Sequence, residues 1–195
     1  MINISHSTQS SMLTTSLQRL FDCGSWVYQT KQFDLLMKHF GATWKTIDDS
    51  EISFSDILEL TDLEYVIDCT SSRLDLHKTW RVFSVWCCEP LSYYITLPSC
   101  YVAFTSAKKF IEDDISLEEL TKIFQVAYDD QSNDSSDHLS LSYCANRIAM
   151  DSANPQIDTC ITNCFNTSAL GMDRLGLSIK SFELKQRVKF ISLVS

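Results

Sequence analysis

Glycine and proline are scarce in this chain of 195 residues, which has four of the first and three of the second. Sandwiches and barrels of many strands need frequent tight turns, and such turns use both residue types. Their scarcity argues against an all-β fold and favours helices. The apolar fraction of 45% is that of a globular protein, so a disordered or fibrous chain is not expected.

Basic clusters and long apolar runs are absent too. The net charge is −9 and the longest basic run is Lys108-Lys109, so a nucleic-acid partner is not expected. No segment approaches the roughly 18 to 20 apolar residues of a membrane helix. The start of the chain lacks the basic and apolar regions of a secretory signal. We therefore expect a cytoplasmic protein without a membrane partner.

Signatures of cofactor and metal binding are also missing. The sequence has no Gly-x-Gly-x-x-Gly loop and no Cys-x-x-Cys pair, so we expect no cofactor and no metal. Cys160 and Cys164 share a helical face, with Cys144 and His138 one helix earlier, and four such groups could bind zinc. Thiols in a helical core explain the same pattern without a metal.

Eight cysteines are a high number for this length, and most of them lie within apolar helical patterns: Cys23, Cys69, Cys87, Cys88, Cys100, Cys144, Cys160 and Cys164. Thiols in a cytosolic chain act mostly as small core residues, so we expect them to be free and buried. A cysteine-dependent enzyme is the alternative, with Cys87, Cys88 or Cys23 as nucleophile. His77 and Glu89 are the nearest candidate bases in the sequence. The apolar surroundings of Cys87 and Cys88 speak against it, because burial makes a thiol inert.

Apolar residues at helical spacing recur along the whole chain and predict about eight to ten helices. The clearest start is Ser116-Leu117-Glu118-Glu119, a capping box in which the side chains of the first and last residues bind each other's backbone amides. We expect an all-α fold, either a compact multi-helix bundle or stacked helical hairpins. It forms a single domain over residues 1–195, with residues 1–10 disordered and no clear strand pair.

Several helix boundaries follow from capping residues, proline and glycine. We predict helix starts at Met12, Asp34, Ser53 or Ser55, Asp75, Pro98, Asp137 and Asn154-Pro155. We predict helix ends at Gly41 and Gly171, a break at Pro90, and a loop over residues 129–137.

Acidic residues gather in short segments that are the candidate partner-binding surface. The first segment contributes Asp48, Asp49 and Glu51, and the second contributes Glu112, Asp113 and Asp114, with further carboxylates over residues 129–137. Together they could form a negative face for a basic protein. The alternative is a set of solvated loops with no partner.

Four stretches, in this order, carry a resemblance to known proteins. They are Asp22-Cys23-Gly24-Ser25-Trp26, Thr43-Trp44 with Asp62-Leu63-Glu64-Tyr65-Val66-Ile67, the Cys-rich helix 77–88, and Ala107-Lys108-Lys109-Phe110-Ile111 followed by Ile115-Ser116-Leu117-Glu118-Glu119-Leu120. In these the chain resembles a loosely defined family of helical bacterial and phage proteins labelled as immunity proteins, over residues 20–169. It departs from that family in the third quarter, where relatives are rich in Ala and this chain is rich in Ser, Asp and Cys.

The resemblance implies a helical fold and a protein partner, and it assigns no functional residue. With the charge and the lack of a catalytic motif, it favours a non-enzymatic, immunity-like or inhibitor-like domain. Such a domain would cover a basic surface on a toxin or another effector. The alternatives are the cysteine-dependent enzyme and a helical scaffold that self-assembles.

Overall fold

The computed structural model describes residues 12–195 except 25, 26, 28, 136 and 139. The prediction of disorder for residues 1–10 therefore lies outside the described residues. The two short strands are β1 (Thr14–Ser16) and β2 (Glu51–Ser53). The helices are α1 (Leu17–Asp22), α2 (Lys31–His39), α3 (Phe54–Leu60), α4 (Leu63–Cys69), α5 (His77–Cys88), α6 (Pro98–Ile111), α7 (Leu117–Asn133), α8 (Leu141–Asp151), α9 (Ile157–Arg174) and α10 (Ile179–Val194). Two 3₁₀ helices, Thr70–Leu76 and Glu89–Tyr94, flank α5.

Helix α5 is the central element of the fold. It packs against α6, α8, α9 and α10, and its residues Trp80, Phe83, Cys87 and Cys88 are fully buried. Aromatic pairs join it to the last helix: Trp80 stacks on Phe190 with 6.0 Å between ring centroids. A helix that is apolar on most sides is stable only when surrounded in this way.

A single cluster of buried apolar side chains includes members of every helix from α1 to α10. The described residues thus form a helical fold around one core, and the predicted all-α class is confirmed.

The strand pair is a correction to the sequence analysis, which expected none. β1 and β2 are antiparallel, with Thr15 opposite Ile52. Leu13, the residue before β1, continues the pairing: its carbonyl accepts from the Phe54 amide (3.2 Å) after β2, and its amide donates to the Val194 carbonyl (2.9 Å) of the last helix. Three-residue strands carry too little alternation to be recognised from sequence.

The predicted capping devices are present at the two best-marked helix starts. At α7 the Glu119 amide donates to Ser116 Oγ (3.2 Å) and the Ser116 amide donates to Glu119 Oε2 (2.9 Å), which is the predicted capping box. Pro98 is the first residue of α6, as predicted, and at that position its missing N–H costs nothing. Ser53 rather than Ser55 caps α3. Gly41 follows α2 with φ of +67°.

Other boundaries differ from the predictions by a few residues, and several of these differences have a local cause. Residues 14–16 are a strand, so the first helix begins at Leu17 rather than Met12. Helix α7 continues to Asn133, through part of the predicted loop. The Asn154 side chain accepts from the Gln156 amide, which moves the start of α9 to Ile157. The break after α5 takes the form of the 3₁₀ helix at Pro90. Helices α2, α5 and α8 begin at Lys31, His77 and Leu141 instead of Asp34, Asp75 and Asp137.

Gly171 does not end a helix, contrary to the prediction. It lies inside α9, which continues to Arg174, and Gly176 follows that end with φ of +72°. Gly171 is needed for packing instead: a Cβ atom built there would lie 2.4 Å from Cδ1 of Leu91, which is fully buried. The missing side chain therefore allows the 3₁₀ helix after α5 to approach α9.

We expect Gly171→Ala to lower the free energy of unfolding by about 1–3 kcal/mol, because the added methyl group overpacks the contact with Leu91. Urea unfolding followed by circular dichroism measures this. The double variant Gly171→Ala with Leu91→Ala is the matched control, since it makes room for the methyl group. A Gly171→Ala protein as stable as the wild type would contradict the packing argument, because alanine otherwise favours a helix.

Candidate functional site

The first acidic segment is an exposed loop held against α1. The Gln18 amide donates to the Asp48 carbonyl (3.1 Å), and Ser16 Oγ donates to Asp49 Oδ1 (3.2 Å). The Ser50 amide donates to Asp48 Oδ1 (2.9 Å), and this bond lowers the pKa of Asp48. The loop thus has a defined shape, and its carboxylates face water.

Trp44 lies beside the same part of the fold, and sequence reasoning did not select it as a site residue. Its side chain is 56% exposed. Its ring centroid lies 6.1 Å from that of Phe21 in α1 and 5.7 Å from that of Phe33 in α2. A large aromatic side chain that is held on one side and open on the other is typical of binding surfaces. The sequence gives the residue type but not its exposure.

The second acidic segment is the C-terminal cap of α6. The Asp113 amide donates to Phe110 O (3.2 Å) and the Asp114 amide donates to Lys109 O (2.9 Å), the two bonds of a Schellman motif. Asp113 has φ of +66°, a conformation that favours glycine, and its carboxylate pairs with Lys78. Negative charge at a helix C-terminus opposes the macrodipole, so the acidic residues there do not stabilise α6.

The two acidic segments rest on different elements: the first is held against α1, and the second caps the end of α6. Among the described residues, no hydrogen bond or ion pair joins Asp48, Asp49 or Glu51 to the segment 112–114. The third predicted stretch belongs largely to α7, where Asp129 accepts from Gln125 one helical turn earlier. All six named carboxylates are nevertheless exposed.

A further acidic group, which sequence reasoning did not single out, lies on α4. Asp62 caps this helix by accepting from the Tyr65 amide (2.8 Å), and Glu64 and Asp68 follow on the same helix. Partial burial, and then the nearby charges of Glu64 and Asp62, raise the pKa of Asp68 to about 6. The spacing of these carboxylates was visible in the sequence, but the burial that sets the pKa was not.

We expect Asp68→Asn to stabilise the protein at neutral pH. The pKa is about 6 in the folded state, above its ordinary value of 3.8, so the folded state binds the proton more tightly and loses stability as the pH rises between those values. The gain at pH 7 should be about 1 kcal/mol, less than the full shift because water screens a half-buried carboxylate. Urea unfolding at several pH values measures it.

The gain should vanish below about pH 4, where Asp68 is protonated in both states. Asp130→Asn on α7 is the control, because that carboxylate is exposed. A gain from Asp68→Asn that stays constant from pH 4 to pH 7 would show that charge is not its cause.

The candidate thiol nucleophiles have unfavourable surroundings. Burial raises the pKa of Cys87 to about 12 and raises that of Cys88 further. Cys23 is partly exposed, and burial raises its pKa as well. The side chains of the candidate bases have other partners: Glu89 pairs with Lys108 (3.0 Å), and the His77 ring lies 5.6 Å from that of Phe110.

All eight cysteines are free and all but Cys23 are buried, which confirms the prediction of free core thiols. Cys160 and Cys164 lie one turn apart on α9, where their thiols contact the Ser152 and Ile148 carbonyls. His138 packs against Tyr143 at 4.6 Å. In the described part of the chain, no three His, Cys, Asp or Glu residues are arranged to hold a metal ion.

Cys160 is the one thiol of the described cysteines whose pKa is lowered. Burial raises its pKa, but the hydrogen bond from Cys164 and the positive charge of Arg81 outweigh that effect. Arg81 is fully buried, and its Nη1 lies 3.8 Å from the Cys160 sulfur. No sequence motif marks this contact, because α5 and α9 are far apart in the chain.

Comparison with known proteins gives no relative: no family model matches the chain, and neither the curated proteins nor the solved structures contain a significant match. The resemblance to helical immunity proteins therefore stays a prediction. Of the helices described, none combines the length and the apolar character needed to cross a membrane.

Proposed function

We propose that this protein is a non-enzymatic binding domain that recognises a basic protein, such as a toxin or another effector, through its acidic surface. The observation that supports it best is the combination of half-exposed Trp44 with the exposed carboxylates of Asp48, Asp49 and Glu51. Both parts of this surface, which we call the Trp44 surface, rest on α1: the ring contacts Phe21, and the loop is held by residues 16 and 18.

The Trp44 surface has the composition of a binding hot spot: Trp44 is the aromatic anchor, and the carboxylates of Asp48, Asp49 and Glu51 form a charged rim. A tryptophan buries a large apolar area when a partner covers it, and truncation of such anchors typically costs 2 kcal/mol or more. Exposed charges around it contribute mainly to the association rate, because their attraction acts before contact. In this proposal Trp44 supplies affinity, whereas the three carboxylates attract a basic partner.

The segment Glu112, Asp113 and Asp114 acts in the proposal at longer range. It needs no contact with the partner, because a chain with net charge −9 attracts a basic surface through its summed field. Its carboxylates are exposed and lie at a helix end where they do not stabilise α6. Glu112 and Asp114 form no ion pair with a described residue, so their charges are available to attract a partner, whereas Asp113 pairs with Lys78.

The triple variant Asp48→Asn, Asp49→Asn, Glu51→Gln tests the rim. Asparagine keeps the acceptor oxygens used by Ser50 and Ser16, so the loop should keep its shape. We expect the association rate with the partner to fall about tenfold at low salt, with little difference at high salt. The partner is obtained by affinity purification of the tagged protein in a salt series, and rates are measured by surface plasmon resonance.

The matched control is Glu112→Gln, Asp113→Asn, Asp114→Asn, which removes the same charge from the other segment. We expect a smaller loss of association rate there, and Trp44→Ala should instead raise the dissociation rate. If neither triple variant changes the association rate and Trp44→Ala changes nothing, this surface does not bind the partner.

Self-assembly is the second candidate function, and α10 favours it. One face of α10 packs on the core through Phe182, Phe190 and Val194, yet a second apolar stripe, Leu184, Val188 and Ile191, is exposed. The helix carries four basic residues and one acidic one, opposite in sign to the whole chain. A second copy of this chain offers the complementary acidic surface.

We expect the wild type to form dimers or larger species at low salt if α10 serves this role, and Leu184→Glu with Val188→Glu to return it to the monomer. Sedimentation equilibrium gives the mass. Leu35→Glu on α2 is the control, because Leu35 is also about half exposed. A wild type that is monomeric at every concentration excludes self-assembly.

A further inference from the structure

A cleft of about 430 Å³ opens where α9 begins, on the side of α5 that carries His77 and Arg81. Its other walls are Leu74 of the 3₁₀ helix, Leu117 at the start of α7, and residues 155–158. This volume is within the ordinary range of small-molecule sites. No residue of the Trp44 surface lines it, so it is independent of the binding function proposed above.

Arg81 places a positive charge in the wall of this cleft. Its side chain is fully buried, its Nη atoms donate to the carbonyls of Ser152 and Asn154, and Nη1 also lies 3.8 Å from the Cys160 sulfur. No carboxylate of the described residues forms an ion pair with it, and its Nε has no hydrogen-bond partner. A buried guanidinium group with no carboxylate partner and an unsatisfied Nε favours an anion in the adjoining cleft.

Two further polar features face the same space. Nδ1 of His77 is buried and has no partner in the described structure, although the residue lines the cleft. Helix α9 lacks a side-chain cap, and among the described residues no acceptor contacts the amides of Ile157 and Asp158. A helix N-terminus with free amides attracts negative charge.

The remaining walls determine which kind of anion fits. Leu74 and Leu117 line the cleft and are partly exposed to solvent, and buried Ile157 adds a further apolar wall. Asp158 also lines the cleft, and its carboxylate already accepts from the Thr159 amide (2.7 Å). This negative charge disfavours dianions such as phosphate, whereas a singly charged group can still be held by Arg81.

We infer that this cleft binds a small organic monocarboxylate with an apolar body. The carboxylate lies towards Arg81, His77 and the first amides of α9, and the apolar body lies between Leu74 and Leu117.

Titration of the whole ¹⁵N-labelled protein with phenylacetate, benzoate and hexanoate tests the inference. We expect saturable shifts of the Ile157 and Asp158 amide resonances with at least one of the three. The neutral analogue phenylacetamide and inorganic phosphate should bind more weakly than phenylacetate. No saturable shift with any of the three acids, or equal binding of phenylacetamide, would overturn the assignment.

Two variants at the mouth of the cleft avoid Arg81, whose hydrogen bonds the fold needs. Asp158→Asn keeps the acceptor for Thr159 and removes the like charge, so carboxylate affinity should rise about threefold or more. Leu117→Glu should lower it about tenfold by adding a negative charge and removing an apolar wall. Leu35→Glu, on α2 and outside the lining of the cleft, is the matched control. Unchanged affinity in Leu117→Glu would contradict the site.

Discussion

The guanidinium group of Arg81 is the contact on which the arrangement of the central helices depends. From the middle of α5 it holds the carbonyls of Ser152 and Asn154, which are the end of α8 and the turn into α9. It also lies over the Phe110 ring at 5.3 Å, which links it to α6. An apolar residue here would leave buried carbonyls without donors, and each such loss costs about 1–3 kcal/mol. The same group shapes the neighbouring cleft and lowers the pKa of Cys160.

Charge is distributed unevenly over the molecule, and each of the two proposed functions uses a region of one sign. The loops before β2 and after α6 are acidic, helix α10 is basic, and a positive charge is buried at the centre. Of the acidic groups, Asp68 opposes the folded state at neutral pH through its partial burial, whereas Asp113 at the end of α6 is paired with Lys78.

The fold was largely predictable from the sequence, whereas the candidate sites were only partly so. Local signals such as the capping box at Ser116 and the proline at Pro98 act within one helical turn, and both predictions were right. Gly171 was misjudged because its reason is a contact with Leu91, eighty positions earlier. The exposure of Trp44 and the burial of Arg81 likewise result from packing between distant segments. An Arg residue within an apolar helical pattern gives the same sequence signal whether its side chain is exposed to solvent or buried in the core.

The hydrogen bond between Leu13 and Val194 also limits how far the fold can form during synthesis, because it needs the last helix. β1 is synthesised before α10, the helix that supplies its partner at that edge. Until α10 has been made, Trp80 lacks the stacked ring of Phe190, and the apolar side of α5 stays open to solvent. From the synthesis of α5 until that of α10, the nascent chain therefore carries an uncovered aromatic surface.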